Sequence, residues 1–277
     1  MWHSQKRGRG GVIMYRQFFG LKHEPLGKDC TQLWDNGQII KFEKQFKWLL
    51  QSPGIGLLTA DPGLGKTAML HQVTRALNPH QYLIYYTSET DFGRLEFYRH
   101  LAVLMGLPPS SRRSQLWRDL KGHISQLYTQ KNILPIVIID EGQNLQAEFL
   151  RDFPSFLNFV FDSKDYITVW LVGHTSLAKI IDRPSNIALA SRIQVRYELK
   201  PITDSESFKK LLSHAFTQAG CVQTLLSDSA VETIRLASKG NPRQANHVIV
   251  TALRLAADQN FNHIPDDIVK EAIEFLK

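Results

Sequence analysis

Residues 57–70, LLTADPGLGKTAML, join a short apolar run to an amphipathic one through a turn that holds Gly63 and Gly65. A strand that passes through a glycine-rich turn straight into a helix constrains this chain more than any other feature. The turn's backbone N–H groups and the positive end of the helix dipole together predict a cradle for an anion. Gly65-Lys66-Thr67 is the ending of a phosphate-binding loop, in which the lysine meets the β- and γ-phosphates and the threonine hydroxyl meets Mg²⁺. The pattern also asks for glycine five residues before Gly65, and Ala60 stands there. A methyl group is the smallest possible departure, at a strand end where positive φ is not required. The expected loop runs through Ala60, Asp61, Pro62, Gly63, Leu64, Gly65, Lys66, Thr67 and Ala68.

Elements on either side extend the same unit. Ile39, Phe42, Phe46 and Leu49 fall in steps of three and four, so 38–50 predicts a helix. Residues 54–60 read as a buried strand and 66–77 as the helix after the loop. Further strands are predicted at 82–87, 133–140, 166–173 and 194–199, and helices at 94–106, 114–130 and 148–161, the last with Pro154 near its start or at a kink. The run 133–140, ILPIVIID, is almost wholly apolar, as a parallel strand covered on both faces requires. Strands alternating with helices predict an α/β fold, a parallel sheet sandwiched by helices. From Pro201 onward no strand pattern remains, only helical periods broken at Gly220, 239–242 and 262–265. The expected organisation is a flexible basic head at 1–14, an αβα core at 15–200 and a small all-helical lid at 201–277.

Charge and composition narrow the partners. The net charge is +7 and the sequence pI about 9.4, a balance that favours nucleic acid. Lys6, Arg7 and Arg9 of the head supply part of it, and Met14 is an alternative start. The two cysteines, Cys30 and Cys221, lie far apart without metal spacing and read as reduced thiols. No apolar run approaches bilayer-spanning length, and the opening residues lack the pattern of a signal peptide, so a cytoplasmic location without membrane contact is expected.

A second station lies in IVIIDEGQNL, 136–145. Asp140 ends a buried strand, where an open α/β sheet puts its ligand crevice, and its carboxylate suits the shell of Mg²⁺. Glu141 is placed to orient or deprotonate a water. At the end of the next strand, His174 and Thr175 stand where a polar group could sense a γ-phosphate; an ordinary loop histidine is the equal reading. Arg192 stands just before the last strand and Arg243 in KGNPRQAN opens a later helix. By residue type alone, both read as surface or salt-bridge arginines.

These stations, in this order and followed by a helical segment, resemble the AAA+ ATPases over residues 15–277. YRQFFGLKHEPL, DEGQNL, LVGHTSL and SRIQVRYEL resemble one branch of that family, which contains the ExeA-like ATPases and the ATPases that assist DNA transposases, of the TniB, TnsC, IstB and MuB types. The resemblance implies ATP and Mg²⁺ as cofactors, held by Lys66, Thr67 and Asp140. It implies Glu141 as the catalytic base, His174 or Thr175 as first sensor, Arg243 as second sensor, and Arg192, or less strongly Arg183, as a finger. It places Phe19, Gly20 and Leu21 near the adenine. A histidine at 174, where an amide or hydroxyl is more usual, departs from the pattern.

ExeA-like secretion ATPases carry a membrane segment and a wall-binding region after the ATPase, whereas the transposase helpers are short, soluble and often basic. Length, charge and the end of the chain at Lys277 favour the helpers. The expected function is therefore an ATP-dependent regulator that forms a ring or filament on duplex DNA and recruits or activates a transposase, with a target-selection protein as a further partner. The alternative is a secretion or envelope-assembly ATPase acting through proteins. Lys and Arg supply most non-specific DNA affinity. The candidate contacts are Thr90 and Arg94, with Arg99 beside them, and Arg112 and Arg113 in the cluster that also holds Arg118 and Lys121. A solvated helix face is the competing reading for each.

Overall fold

The computed structural model describes residues 11–29, 32–91, 93–159, 164–221 and 223–277. They fall into two compact units, which divide between Asn36 and Gly37 and again between Lys200 and Pro201.

The unit Gly37–Lys200 is built on five parallel strands: β1 (Ile55–Ala60), β2 (Tyr82–Thr87), β3 (Leu134–Ile139), β4 (Thr168–Gly173) and β5 (Ile193–Leu199). Their order across the sheet is β2-β3-β4-β1-β5. Every residue of β1, β3 and β4 is buried, as their unbroken apolar runs demand. The edge strands β2 and β5 alternate with exposed positions instead. Leu57 aligns with Leu171 and Ala60 with Leu199, while Thr87 aligns with Ile139, so the carboxyl ends of the strands form one edge.

Helices cover both faces. Ile55, Leu57, Val137, Ile139, Val169 and Leu171 share a core with α4 (Arg94–Leu104), α5 (Arg113–Thr129), α6 (Ala147–Phe156), α7 (Thr175–Ile181) and α8 (Ile187–Ala190). On the other face, α2 (Gln38–Gln51) sets Phe46 flat on Trp170, ring centroids 5.2 Å apart and 3° from parallel. Phe42 meets Trp170 and Tyr197, and α3 (Lys66–Arg75) buries Met69, Leu70 and Val73. The α6 helix stops at Phe156, short of the expected 161, and Pro154 lies inside it. Its missing N–H costs one helical bond near the C-terminal end, where the helix is about to stop.

The second unit contains α9 (Ser205–Gln218), α10 (Asp228–Ser238), α11 (Pro242–Asp258) and α12 (Asp266–Phe275). Side chains cap three of them: Asp204 accepts from the Ser207 N–H, Ser227 from Ala230 and Asn241 from Arg243. Residues 15–29 and 32–36, expected with the core, join this unit. Tyr15, Phe19 and Leu21 enter its apolar cluster with Phe208, Leu212, Ile249 and Leu253. The Lys22 N–H donates to the Ala219 carbonyl at 2.8 Å, and the Leu26 N–H to Asn246 Oδ1 at 3.1 Å. Of the head, 1–10 lies outside the described residues, as does Cys30; residues 11–14 begin α1 (Gly11–Phe18). The architecture is the expected one, a parallel sheet between helices followed by a helical region.

Candidate nucleotide site

The phosphate-type loop spans the gap between β1 and α3 at the carboxyl edge of the sheet. Gly63 and Gly65 take φ of +88° and +95°, which side-chain-bearing residues rarely adopt, and a Cβ on Gly65 would point into open space. Ala60 is the last residue of β1, fully buried and paired with β5. It is ordinary extended backbone, so a glycine has no conformational role there. Lys66 opens α3, and its Nζ donates to the Ala60 carbonyl at 3.2 Å across the base of the loop.

Asp140 follows β3 and is 2% exposed. Burial of a carboxylate needs compensation, and three donors supply it. Thr67 Oγ1 donates to Oδ2 at 2.7 Å, the Tyr86 hydroxyl to the same oxygen at 3.0 Å, and the Glu141 N–H to Oδ1 at 2.8 Å. The Tyr86 hydroxyl is pushed up to about 12 by burial first, then by the Asp140 charge and the hydrogen bond to it. Sequence reading missed Tyr86; its only signal was a phenol in the strand beside the one that ends in Asp140.

A threonine hydroxyl and a carboxylate converging on one point are hard oxygen donors, the set Mg²⁺ takes when it also holds phosphate. The residues present therefore fit ATP with Mg²⁺: Lys66 and the loop N–H groups for the phosphates, Thr67 and Asp140 for the ion. Mg²⁺ bound there supplies charge neutralisation on the phosphate oxygens.

Glu141 is exposed beside this pair, with backbone φ 54° and ψ 33° in the left-handed region. Its carboxylate accepts from Gln143 Nε2 at 2.6 Å, and Gln143 Oε1 accepts the His174 N–H at 2.9 Å. His174 caps α7, its Nδ1 accepting from the Ser176 N–H at 3.2 Å. The ring proton then belongs on Nε2, which faces Asp61 Oδ1 at 3.5 Å. Thr175 Oγ1 donates to the same Asp61 oxygen at 3.0 Å. Loop, Asp140-Glu141 and His174-Thr175 thus gather at one sheet edge. Gln143 is a link that sequence reading did not assign, and Asp61, expected only as part of the phosphate loop, is the loop's contact with the β4–α7 turn.

Two other expected residues of this unit, Arg192 and Arg183, lie elsewhere in it. Arg192 precedes β5 at the opposite, amino edge, where it lines a pocket with Gln51, Tyr128, Lys164 and Asp165. A seven-residue strand separates it from the loop's edge, roughly 20 Å. Arg183 is exposed before the short 3₁₀ turn Pro184–Asn186. Arg243 opens α11 in the helical unit, where Phe19 and Leu21 are core residues.

Thr90 corrects the DNA expectation. It is 1% exposed, and its hydroxyl donates to the Glu141 carbonyl at 3.0 Å. A buried hydroxyl already bonded to the Glu141 carbonyl has no surface to offer a phosphate. Arg94 lies 3.8 Å from Asp152, and Arg113 binds that same carboxylate while stacking over Trp117 at 4.1 Å. Arg99, Arg112 and Arg118 are exposed. No described helix is long and apolar enough to cross a membrane.

Residues 49–181 match the family model described as "AAA domain". The chain is 26% identical to General secretion pathway protein A of Aeromonas hydrophila over 246 residues, 87% of this chain but 44% of that protein. It thus spans less than half the length of that relative. Among solved structures it resembles the Aeropyrum pernix ORC2 protein in its ADPNP-ADP complexes, at a TM-score of 0.69 and 16% identity, covering 92% of this chain and 72% of that one. It also resembles the Aeropyrum pernix ORC1 protein in complex with DNA, at 0.67 and 16%, covering 91% and 68%. These likenesses at low identity speak for the fold, and the fold is the one the sequence predicted. Residues 49–181, with their phosphate loop, Asp140 and Glu141, match an AAA domain, and the activity and cofactors that this match supports are those of an ATPase with ATP and Mg²⁺.

Proposed function

We propose that this chain hydrolyses ATP to control an assembly: it oligomerises as a ring or filament on duplex DNA and recruits or activates a transposase, aided by a target-selection protein. The observation that carries the hydrolytic part is the meeting of Lys66, Thr67, Asp140 and Glu141 at one sheet edge. Asp140 and Thr67 hold Mg²⁺, and Glu141 takes the proton of the attacking water. His174 or Thr175 senses the γ-phosphate, and Arg243 reports nucleotide to the helical unit. Arg192 is too far from its own loop to touch the same nucleotide, which supports a role as a finger in a neighbouring copy. The DNA part is supported by the net charge of +7 and by the exposure of Arg99, Arg112 and Arg118. The location is cytoplasmic.

A second reading is favoured by the similarity to General secretion pathway protein A: an ATPase of envelope assembly that works through protein partners. The two readings separate in a shift assay on non-specific duplex. The DNA reading expects retardation that needs ATP or a slow analogue and fades steeply with salt. No shift at low salt with ATP overturns it in favour of the protein-partner reading. Glu141→Gln is expected to keep ATP binding and to trap oligomers on the duplex; disassembly at the normal rate removes Glu141 as the base.

A further inference from the structure

Glu141 is held at positive φ, a conformation that persists only where its surroundings over-determine it. Its N–H is fixed to Asp140 Oδ1 and its carbonyl to Thr90 Oγ1. The carboxylate itself accepts from the Gln143 amide N–H at 2.6 Å. The other end of that amide is also occupied, since its oxygen accepts the His174 backbone N–H at 2.9 Å. An amide offers a donor on one side and an acceptor on the other, and a carboxylate only accepts, so both ends of Gln143 match their partners in one orientation alone.

The β4–α7 turn makes room for this contact. A Cβ added to Gly173 would lie 2.4 Å from Gln143 Oε1, and 3.0 Å from Leu177 Cδ2. No side chain fits at 173 while the amide stays where it is. The same turn presents His174 Nε2 and Thr175 Oγ1 to Asp61 of the phosphate loop, at 3.5 and 3.0 Å. A continuous line of contacts therefore runs from Asp61 through His174 and Gln143 to Glu141.

We propose that Gln143 is a positioning residue for ATP hydrolysis. Its amide sets the Glu141 carboxylate against the β4–α7 turn, so that Glu141 is aligned only while that turn is in register with the phosphate loop. The inference rests on Glu141 being the base. In that reaction the water oxygen bonds to the γ-phosphorus, its proton passes to Glu141, and the bond from the γ-phosphorus to the ADP oxygen breaks, leaving its electron pair on ADP. A carboxylate free to rotate would meet the water in few of its orientations, which lowers turnover without weakening the binding of ATP.

Steady-state hydrolysis by the full chain, with nucleotide affinity and melting temperature measured in parallel, tests this. Gln143→Ala is expected to lower kcat roughly tenfold or more while KM for ATP stays within about twofold. Gly173→Ala displaces the amide without touching Glu141, and the same split is expected. Gln143→Glu keeps the acceptor for the His174 N–H but turns a carboxylate toward Glu141, so it does not rescue turnover. If Gln143→Ala does not fold, Gly173→Ala and Gln143→Glu carry the test. Turnover within twofold of the parent in folded Gln143→Ala, with Glu141→Gln inactive, overturns the proposal and leaves the base in place. Full turnover in Glu141→Gln instead overturns the reading beneath it.

Discussion

The Thr67 hydroxyl donates a 2.7 Å hydrogen bond to Oδ2 of Asp140, joining the helix after the phosphate loop to the end of β3 across 73 residues of sequence. Neither residue places the other by local preference. The parallel register does so, since β1 and β3 both end at the carboxyl edge with β4 between them. A cation taken up there would meet two oxygen donors already converged.

Tyr86 donates to that same Asp140 oxygen at 3.0 Å and stands behind the ion site. Removing a hydrogen-bond partner of a metal-binding carboxylate costs roughly 10–100-fold in metal affinity. Tyr86→Phe is therefore expected to raise the Mg²⁺ concentration needed for half-maximal hydrolysis by about tenfold, and Asp140→Asn to raise it further. A Mg²⁺ titration of turnover at saturating ATP measures both. An unchanged midpoint in Tyr86→Phe would assign its hydroxyl to strand packing alone.

Ala60 now carries a different expectation from the one its motif position suggests. It is extended, fully buried and paired in the sheet. Ala60→Gly adds backbone freedom to the unfolded chain and removes a buried methyl, so it should cost about 1 kcal/mol of stability. Nucleotide affinity should stay within about twofold, because positive φ is supplied at Gly63 and Gly65 instead. Urea denaturation and a nucleotide titration read the two effects separately. A large gain in affinity would mean that the methyl obstructs the loop.

Much of this was legible in the sequence, for definable reasons. β1, β3 and β4 announced themselves because both their faces are buried, which leaves unbroken apolar runs. Thr67, Asp140 and Glu141 were legible because their chemistry sits at fixed places relative to strand ends. The helices α7 and α8 were not, being seven and four residues long, too short for a period to declare itself. Residues 15–29 have no clear period to place them, and although they read as part of the core, Tyr15, Phe19 and Leu21 pack with α9–α11. Thr90 sits in a polar run and reads as surface, yet it is buried by its bond to Glu141, 51 residues away. Arg113 reads as a free cation because Asp152 lies 39 residues later. Partners this distant leave no trace in local composition.

The helical unit carries its own acid-sensitive contact. Arg235 donates to Glu232 through Nε at 2.8 Å and Nη2 at 2.5 Å, and Ser205 Oγ adds a third bond at 3.0 Å. The Arg235 hydrogen bonds, chiefly, hold the Glu232 carboxyl down to about 2 from an ordinary 4.5. A carboxyl depressed in the fold releases its proton more readily there than in the unfolded chain. Its contribution is complete above pH 4.5 and fades as pH falls toward 2. Glu232→Gln should therefore lose less melting temperature than the parent between pH 5 and 3, by about a degree or so given the contact's exposure. Parallel slopes in thermal scans over that range would remove Glu232 from the acid response.

Charge at the α4–α5 surface gives the last expectation its discrimination. Arg94 and Arg113 share Asp152, and Arg113 also stacks on Trp117, so these two cations are committed to the fold. Arg112 and Arg118 are exposed on α5 and its approach, available to phosphates. If this surface tracks duplex DNA, replacing both by Ala removes about two phosphate contacts, and the slope of log affinity against log salt should flatten by roughly 2. Melting temperature should barely move. Arg113→Ala should do the reverse: it leaves Asp152 short of a partner and Trp117 uncovered, which lowers stability by about 1–3 kcal/mol. Fluorescence anisotropy with a labelled duplex at several salt concentrations, beside thermal scans, separates the two variants. An unchanged slope in Arg112→Ala/Arg118→Ala, with DNA still bound in the presence of ATP, would move the contact surface away from α5.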